Sequence, residues 1–206
     1  MGRGSAHGAV RVNAVHEAVL ERAFGLLAQG AADVASPFRH LTFATQGAPA
    51  GALADTDGPG LRTMVLRRFV PGEPALEFHT DARSPKLAAL QACGRVAVLG
   101  WDPAGRVQLR LAGTATLLDG GEAARIWQAL PPSTRSTYAI KAGPGTQIAT
   151  PGEVERSLDT AAAQAVFRVI RVRVDQLEWL HLAADQYQRA RFVWAADGVQ
   201  ATWLVP

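Results

Sequence analysis

From residue 38 to residue 118 the chain is a succession of short extended segments broken by tight turns, and this constrains the fold more than any other feature. FRHLTFATQ (38–46), the segment 61–70, ALEFHT (75–80), RVAVLGW (95–101) and RVQLRLAGTATLL (106–118) mix β-branched and aromatic residues in loose alternation. Such alternation marks strands with one face buried. GAPAG follows the first of them as a turn, and DPAG joins the last two, with Pro103 and Gly105 in turn positions, which predicts an antiparallel hairpin. Further strand-like segments are 165–174, 177–182, 187–195 and 199–205. Helical spacing is found at 13–29, where Val15, Ala18, Val19, Ala23, Leu26 and Leu27 form one stripe closed by Gly30, and at 84–92 and 121–130. Many strands with few helices between them argue against a doubly wound parallel sheet. They predict a mainly β fold, an antiparallel barrel with flanking helices.

Two hundred and six residues, 48% of them hydrophobic and 19% charged, suit one globular domain with a real core, here expected over residues 10–206. MGRGSAHGA (1–9) is glycine-rich, lacks a core pattern and is expected to be a flexible tail; Ala6 stands where a myristoylation signal has Ser or Thr. The balance of 21 basic against 18 acidic residues, with no basic run interleaved with aromatics, gives no footprint for nucleic acid. The lone cysteine, Cys93, excludes an intramolecular disulfide and offers no zinc spacing. With no signal peptide pattern and no apolar run of membrane-spanning length, the expected compartment is the cytoplasm.

Charge is placed most unusually in RTMVLRRFVPGEPALEFHTDARSPK (62–86). Ser84 reads as the N-cap and Pro85 as the first residue of a helix over KLAALQAC. A helix N-terminus is electropositive, so Lys86, with Arg83 just before the cap, is unfavourable there unless an anion occupies the site. The simplest anion is a phosphate. On the preceding strand Arg62, Met64 and Leu66 point one way and Thr63, Val65 and Arg67 the other, so the two arginines serve different partners. The competing reading of Arg62 is a solvent-facing arginine paired with Asp57. Lys86 has no surface partner one turn on, because Leu90 stands there. A dinucleotide fingerprint, a P-loop, an HExxH and a G-x-S-x-G elbow are all absent. Gln108 lies in an apolar strand, where a buried polar side chain needs a partner, unless it faces outward. Trp127, Trp179, Trp194 and Trp203 are expected in the core or an interface. The loop 143–157, GPGTQIATPGEVERS, is long for a compact domain.

The blocks R-T-M-V-L-R, E-F-H-T-D-x-R-S-P-K, V-A-V-L-G-W, Q-L-R-L-x-G-T-A and W-Q-A-L-P-P-S-T-R, in that order, resemble the pyridoxamine 5'-phosphate oxidase superfamily of FMN-binding split barrels, in a divergent branch. The resemblance spans roughly residues 37 to 206 and implies a Greek-key split β-barrel. It also implies an FMN cofactor and a homodimer with FMN sites at the interface. By this resemblance Arg62 binds the FMN phosphate, with the backbone of Thr63, Met64 and Val65 lining the flavin. His79 and Thr80 take the place of the family's Tyr-Thr pair. Ser84, Pro85 and Lys86 take the place of its Ser-Arg-Lys phosphate element, Arg83 being the substitute for the missing arginine. Gln108 matches a glutamine that reaches the flavin across the dimer, and Trp179 and Arg189 match a C-terminal tryptophan and arginine from the partner subunit.

The departures bear on the substrate. The family's vitamin B6 enzyme ends the first strand with lysine and clamps the substrate phosphate with Tyr, Arg and Ser. This chain has Arg67, in a substrate pocket, and Ile126, Leu130 and Thr134. The C-terminal R-x-H becomes Asp185 and Tyr187. Losing that clamp removes several charge-assisted hydrogen bonds of about 1.5–3 kcal/mol each. The expectation is a flavin-dependent oxidoreductase acting on a small molecule, with no residue singled out for proton transfer. Two other readings stand beside it: a non-enzymatic flavin or haem binder using His40, His79 or His181 as axial ligand, and a genuine vitamin B6 oxidase with a rearranged clamp.

Overall fold

The computed structural model describes residues 10–46, 58–157, 159–184 and 186–206. The N-terminal nonapeptide, the GAPAG turn, Asp57 and Asp185 lie outside the described residues.

Among the described residues, nine strands form one antiparallel sheet: β1 (Val10–Arg11), β2 (His40–Thr45), β3 (Gly60–Val70), β4 (Ala75–Asp81), β5 (Arg95–Asp102), β6 (Val107–Leu117), β7 (Phe167–Leu182), β8 (Tyr187–Ala195) and β9 (Gly198–Leu204). The sheet runs β1-β9-β8-β7-β4-β3-β2-β5-β6, and β6 pairs back onto β7 to close a six-stranded barrel. Closure pairs these six strands on both sides over most of their length, but β3 pairs with β4 only from Leu66 onward. Alternation drives it: on β5, Val96, Val98 and Gly100 face in, while Arg95, Ala97, Leu99 and Trp101 face out. Phe43, Leu66, Phe78, Leu109 and Leu177 fill the interior with no exposed surface.

The predicted strands 165–174 and 177–182 are one continuous strand, the 16-residue β7. Its first part pairs with β4 as far as Arg173, and its last part, from Gln176, pairs with β8 while still paired with β6 on the other side, so one barrel strand also carries the β8–β9 ribbon. Between them the β6–β7 register shifts at Ala112/Gly113. Gly113 is required there, because a Cβ at that position would stand 2.1 Å from the Arg173 carbonyl oxygen.

Among the described residues, five helices flank the barrel: α1 (Ala14–Ala32), α2 (Lys86–Ala92), α3 (Gly120–Ala129), α4 (Pro132–Arg135) and α5 (Thr160–Val166). Helix α1 is capped by Asn13 Oδ1, which accepts from the amides of Val15 and His16. Its buried stripe is Val19, Ala23, Leu27 and Gly30, as the spacing predicts, but it begins one residue later: Val15 is exposed and His16 is buried, stacked on Trp203. Gly30 lets the helix reach the turn at Pro37–Arg39, since a Cβ there would lie 2.5 Å from the Phe38 carbonyl oxygen. Helices α4 and α5 were not expected from the pattern, because α4 is a four-residue turn and α5 has only Ala163 buried. A second apolar cluster, Ala123, Trp127, Ala163, Phe167 and Val169, packs α3 and α5 on the outside of β7. Among the described residues no helix is long and apolar enough to cross a membrane.

Candidate functional site

Strands β3 and β4 and the start of α2 bring together the residues that the charge pattern singled out. Arg62 sits on the barrel-facing side of β3, in line with Met64 and Leu66, and donates from Nη1 to Thr45 Oγ1 on β2 at 2.9 Å. Lys86 Nζ donates to Thr80 Oγ1 at 3.0 Å and to Ser84 Oγ at 2.6 Å. Thr45, Thr80 and Ser84 are all buried, so these hydroxyls hold the two cations in fixed places. Among the described residues neither Arg62 nor Lys86 stands within ion-pair distance of a carboxylate. Burial lowers the Lys86 pKa first, and the nearby Arg62 charge lowers it further, against a smaller opposing pull from Asp81. Burial likewise lowers that of Arg62. Two half-buried cations that repel one another, ringed by hydroxyls, form a donor set that suits a phosphate.

Helix α2 departs from the sequence expectation. It starts at Lys86, its N-cap is Pro85, and no side chain caps it. Ser84 accepts from the Lys86 ammonium instead of from a helix amide, so the anion-binding character comes from side chains rather than from the end of a seven-residue helix.

Arg83 takes a different partner from the one expected. Its amide and Nε donate to Asp81 Oδ1 at 2.8 and 3.0 Å, and its Nη2 donates to Asp81 Oδ2 at 2.6 Å. The same guanidinium donates to the carbonyls of Lys141 at 2.6 Å and Ile140 at 3.0 Å. Burial alone raises the Asp81 pKa, but the Arg83 hydrogen bonds and charge outweigh it and hold that carboxyl below its usual range. Arg83 is therefore a tie between the turn after β4 and the long loop. That loop is pinned at its base by the Ile140–Arg156 bridge and by a Lys141 Nζ to Glu155 Oε2 pair at 2.7 Å. It walls a cavity of about 300 Å³ with Asp81, Tyr138, Ile140, Ile148 and Val154.

On the outer barrel face, Thr63 is exposed and Val65 half-buried, with Arg67 in the same row. The register slips between Leu66 and Arg68 against β4, which leaves Arg67 as the extra residue of a bulge. Its enclosed Nε has no hydrogen-bond partner, and neither does the enclosed Nδ1 of His79. Burial, then the charges of Arg67 and Arg39, push the His79 pKa down to about 4. Burial raises that of Tyr138 to about 12, with Arg67 opposing and Asp81 adding. The His79 ring meets Phe167 edge-on at 5.0 Å, and the Tyr138 ring meets the same Phe167 at 5.1 Å. Tyr138 and Thr45 escaped the sequence reading. Tyr138 lies in a single 3-10 turn with no periodicity, and Thr45 is distinguished only by ending β2 opposite Gly60.

Gln108 faces outward on β6, paired with Trp101 of β5. Trp179 and Arg189 do not join the Arg62–Lys86 cluster. Trp179 is fully buried in the core, with Arg22 of α1 over its ring at 5.1 Å. Arg189 donates from Nε and Nη2 to Glu178 Oε2 at 3.1 and 2.7 Å. His40 is exposed on β2, and His181 lies half-buried on β7. No group of three metal-ligating side chains occurs among the described residues.

The chain's residues 24–119 match the family model described as pyridoxamine 5'-phosphate oxidase, FMN-binding domain. The fold is that of the pyridoxamine 5'-phosphate oxidase-like split barrels. Among solved structures, a pyridoxamine 5'-phosphate oxidase-related, FMN binding protein from Nostoc punctiforme PCC 73102 superposes with a TM-score of 0.69 at 20% identity. That alignment covers 96% of this chain and 100% of the Nostoc one. PhzG from Burkholderia lata 383, solved in complex with tetrahydrophenazine-1-carboxylic acid, gives a TM-score of 0.68 at 18% identity, over 97% of this chain and 100% of PhzG. A general stress protein 26-related protein from Clostridium acetobutylicum gives 0.53 at 10% identity, over 84% of this chain and 94% of that one. No functionally curated protein matches the chain. The family-model match ends at residue 119, so it covers Arg62, Thr80, Ser84, Lys86 and Gln108 but not the loop that Arg83 ties down.

Proposed function

We propose that the protein binds FMN and uses it as a homodimer in a redox reaction on a small molecule. The observation that carries this reading is the pair Arg62 and Lys86, two cations without a carboxylate partner among the described residues, held by Thr45, Thr80 and Ser84. The donor set fits the terminal phosphate of FMN, and the exposed row Thr63–Val65 beside it supplies a backbone edge for the flavin ring. Bound there, FMN supplies the electron transfer. The protein's part is to fix the phosphate through Arg62 and Lys86 and to keep the bulged Arg67 and neutral His79 on the flavin-bearing face.

The dimer reading rests on the outer face of β3, β2, β5 and β6. Leu61, Leu99 and Trp101 are exposed on that face, with Ala97 in the same β5 row, and Thr42 pairs between Thr63 and Leu99. A second copy covering this apolar face would meet Gln108 beside Trp101, which is how Gln108 reaches a flavin held by the other subunit. The vitamin B6 reading loses support, because Ile126 and Leu130 pack on the Trp127–Phe167 cluster and offer no hydrogen bond to a substrate phosphate.

The purified protein's absorbance spectrum, recorded across a size-exclusion peak before and after incubation with FMN, tests this reading. A flavin spectrum co-eluting with a dimer is expected. A haem Soret band, or no flavin retained after incubation, would overturn it.

A further inference from the structure

We infer that the cavity between α4 and the start of α5 is a second small-molecule site, one that takes a small free amino acid as its zwitterion, with Arg135 on the carboxylate and Asp159 on the ammonium. The cavity shares no residue with the Arg62–Lys86 centre. The inference therefore goes beyond the flavin reading and stands whether or not FMN binds.

The cavity has a volume of about 270 Å³, below the roughly 300–1,000 Å³ of sites for drug-sized ligands, which suits an occupant of few heavy atoms. Two opposite charges line it without meeting. Among the described residues, Arg135 and Asp159 make no ion pair with each other or with any other side chain. Each is anchored where it stands. The Arg135 guanidinium lies over the ring of the buried Trp127 at 5.9 Å, and its Nη2 donates to the Gln128 carbonyl at 2.5 Å, while its enclosed Nε has no hydrogen-bond partner. Asp159 is the N-cap of α5, and its Oδ1 accepts from the amides of Ala161 at 2.8 Å and Ala162 at 3.2 Å. The neighbouring guanidinium, Arg156, donates to the Ser136 carbonyl at 3.0 Å and does not line the cavity.

A ligand has to answer both charges. A simple carboxylate finds Arg135 but brings like charge to Asp159, and a simple amine finds Asp159 but brings like charge to Arg135. A zwitterion carries one group for each. Its carboxylate accepts from the planar Arg135 fork, which matches a carboxylate better than a point charge does. The hydroxyls of Ser157 and Thr160 line the same space. Ser157 Oγ already accepts from the Asp159 amide at 3.0 Å, which leaves its own O–H to donate to the carboxylate. The ammonium donates to Asp159 Oδ2, the oxygen that the helix cap leaves open. Pro132 and Ala139 are the apolar lining that remains for a side chain, which keeps that side chain small.

Isothermal titration of the full-length protein with L-alanine, propionate and L-alaninamide tests the inference, because the second and third probes each lack one of the two charges. L-Alanine should bind at least about tenfold more tightly than either. Arg135→Gln should weaken L-alanine by about 10- to 100-fold. Asp159→Asn, which keeps a side chain able to cap α5, should weaken L-alanine by about tenfold or more and leave propionate bound no more weakly than before, a split that a merely structural defect would not produce. Circular dichroism melts confirm that both variants fold. No binding of L-alanine, binding no tighter than that of propionate or L-alaninamide, or L-alanine binding indifferent to either substitution would each overturn the inference. The flavin absorbance of the same samples is read separately. FMN retained without L-alanine binding sinks this inference alone, and L-alanine bound through Arg135 and Asp159 without FMN sinks the flavin reading alone.

Discussion

Lys86 and Arg83 stand three positions apart in one turn, and the structure treats them in opposite ways. Arg83 is saturated: Asp81 and two loop carbonyls accept from every part of its guanidinium. Lys86 has only hydroxyl acceptors and faces another cation, Arg62. Local charge density is therefore a poor guide to where an anion binds. What matters is which cations the fold leaves uncompensated, and here one side of the turn keeps a cation with hydroxyl partners only, among the described residues, while the other ties down a loop.

The largest effect that can break this comparison comes from the ligand. Riboflavin lacks the phosphate that Arg62 and Lys86 would hold, so it should bind about 10²- to 10⁴-fold more weakly than FMN, two lost charge-assisted contacts being worth about 3–6 kcal/mol. Fluorescence quenching titrations measure both, and equal affinities would remove the phosphate from the account.

His79 sharpens the contrast on the pH axis. Its folded pKa, about 4, lies below the ordinary 6.5, so the unfolded chain binds the extra proton between those values. Stability is complete above pH 6.5 and falls as the pH drops toward 4. The loss is on the order of 2–3 kcal/mol after allowing for partial solvent screening. His79→Phe, which keeps the ring against Phe167, should flatten the denaturation midpoint over that window.

A smaller effect is expected at Arg83. Arg83→Ala leaves Asp81 buried without its partner, which should cost about 1–3 kcal/mol in unfolding free energy. It should also speed hydrogen exchange in residues 139–157 while leaving FMN affinity within about threefold.

Thr45→Val gives the smallest effect. It keeps shape but removes the acceptor for Arg62 Nη1, and should weaken FMN binding about 3- to 10-fold through loss of one neutral-to-charged positioning contact.

Much of the barrel was legible because its strands carry the inside-outside alternation in their own residues. β5 alternates strictly, and DPAG marks the turn to β6. The break placed between 174 and 177 fails for a physical reason. Asp175 and Gln176 look like a turn in sequence, yet the β6 register shift leaves Asp175 bulged out to pair with Arg95 and Arg173, and the strand continues. Within the candidate site, Arg62 and Lys86 were readable from local charge placement, whereas Thr80 was singled out only by the family resemblance and Ser84 was expected to cap the helix. The role of Arg83 was not readable, because its partners Ile140 and Lys141 are more than fifty residues away in sequence. Trp179 is in the core, one of the two places expected for it, but Arg22 lies over its ring only because of how α1 docks, which no local pattern records.

The most direct measurement is the FMN dissociation constant of three variants under identical salt and pH: wild type, the double variant Arg62→Ala/Lys86→Ala, and Arg83→Ala. The account predicts a loss of about 100-fold or more for the double variant and less than about threefold for Arg83→Ala. Comparable losses in both, or a double variant that binds FMN like wild type, would contradict it.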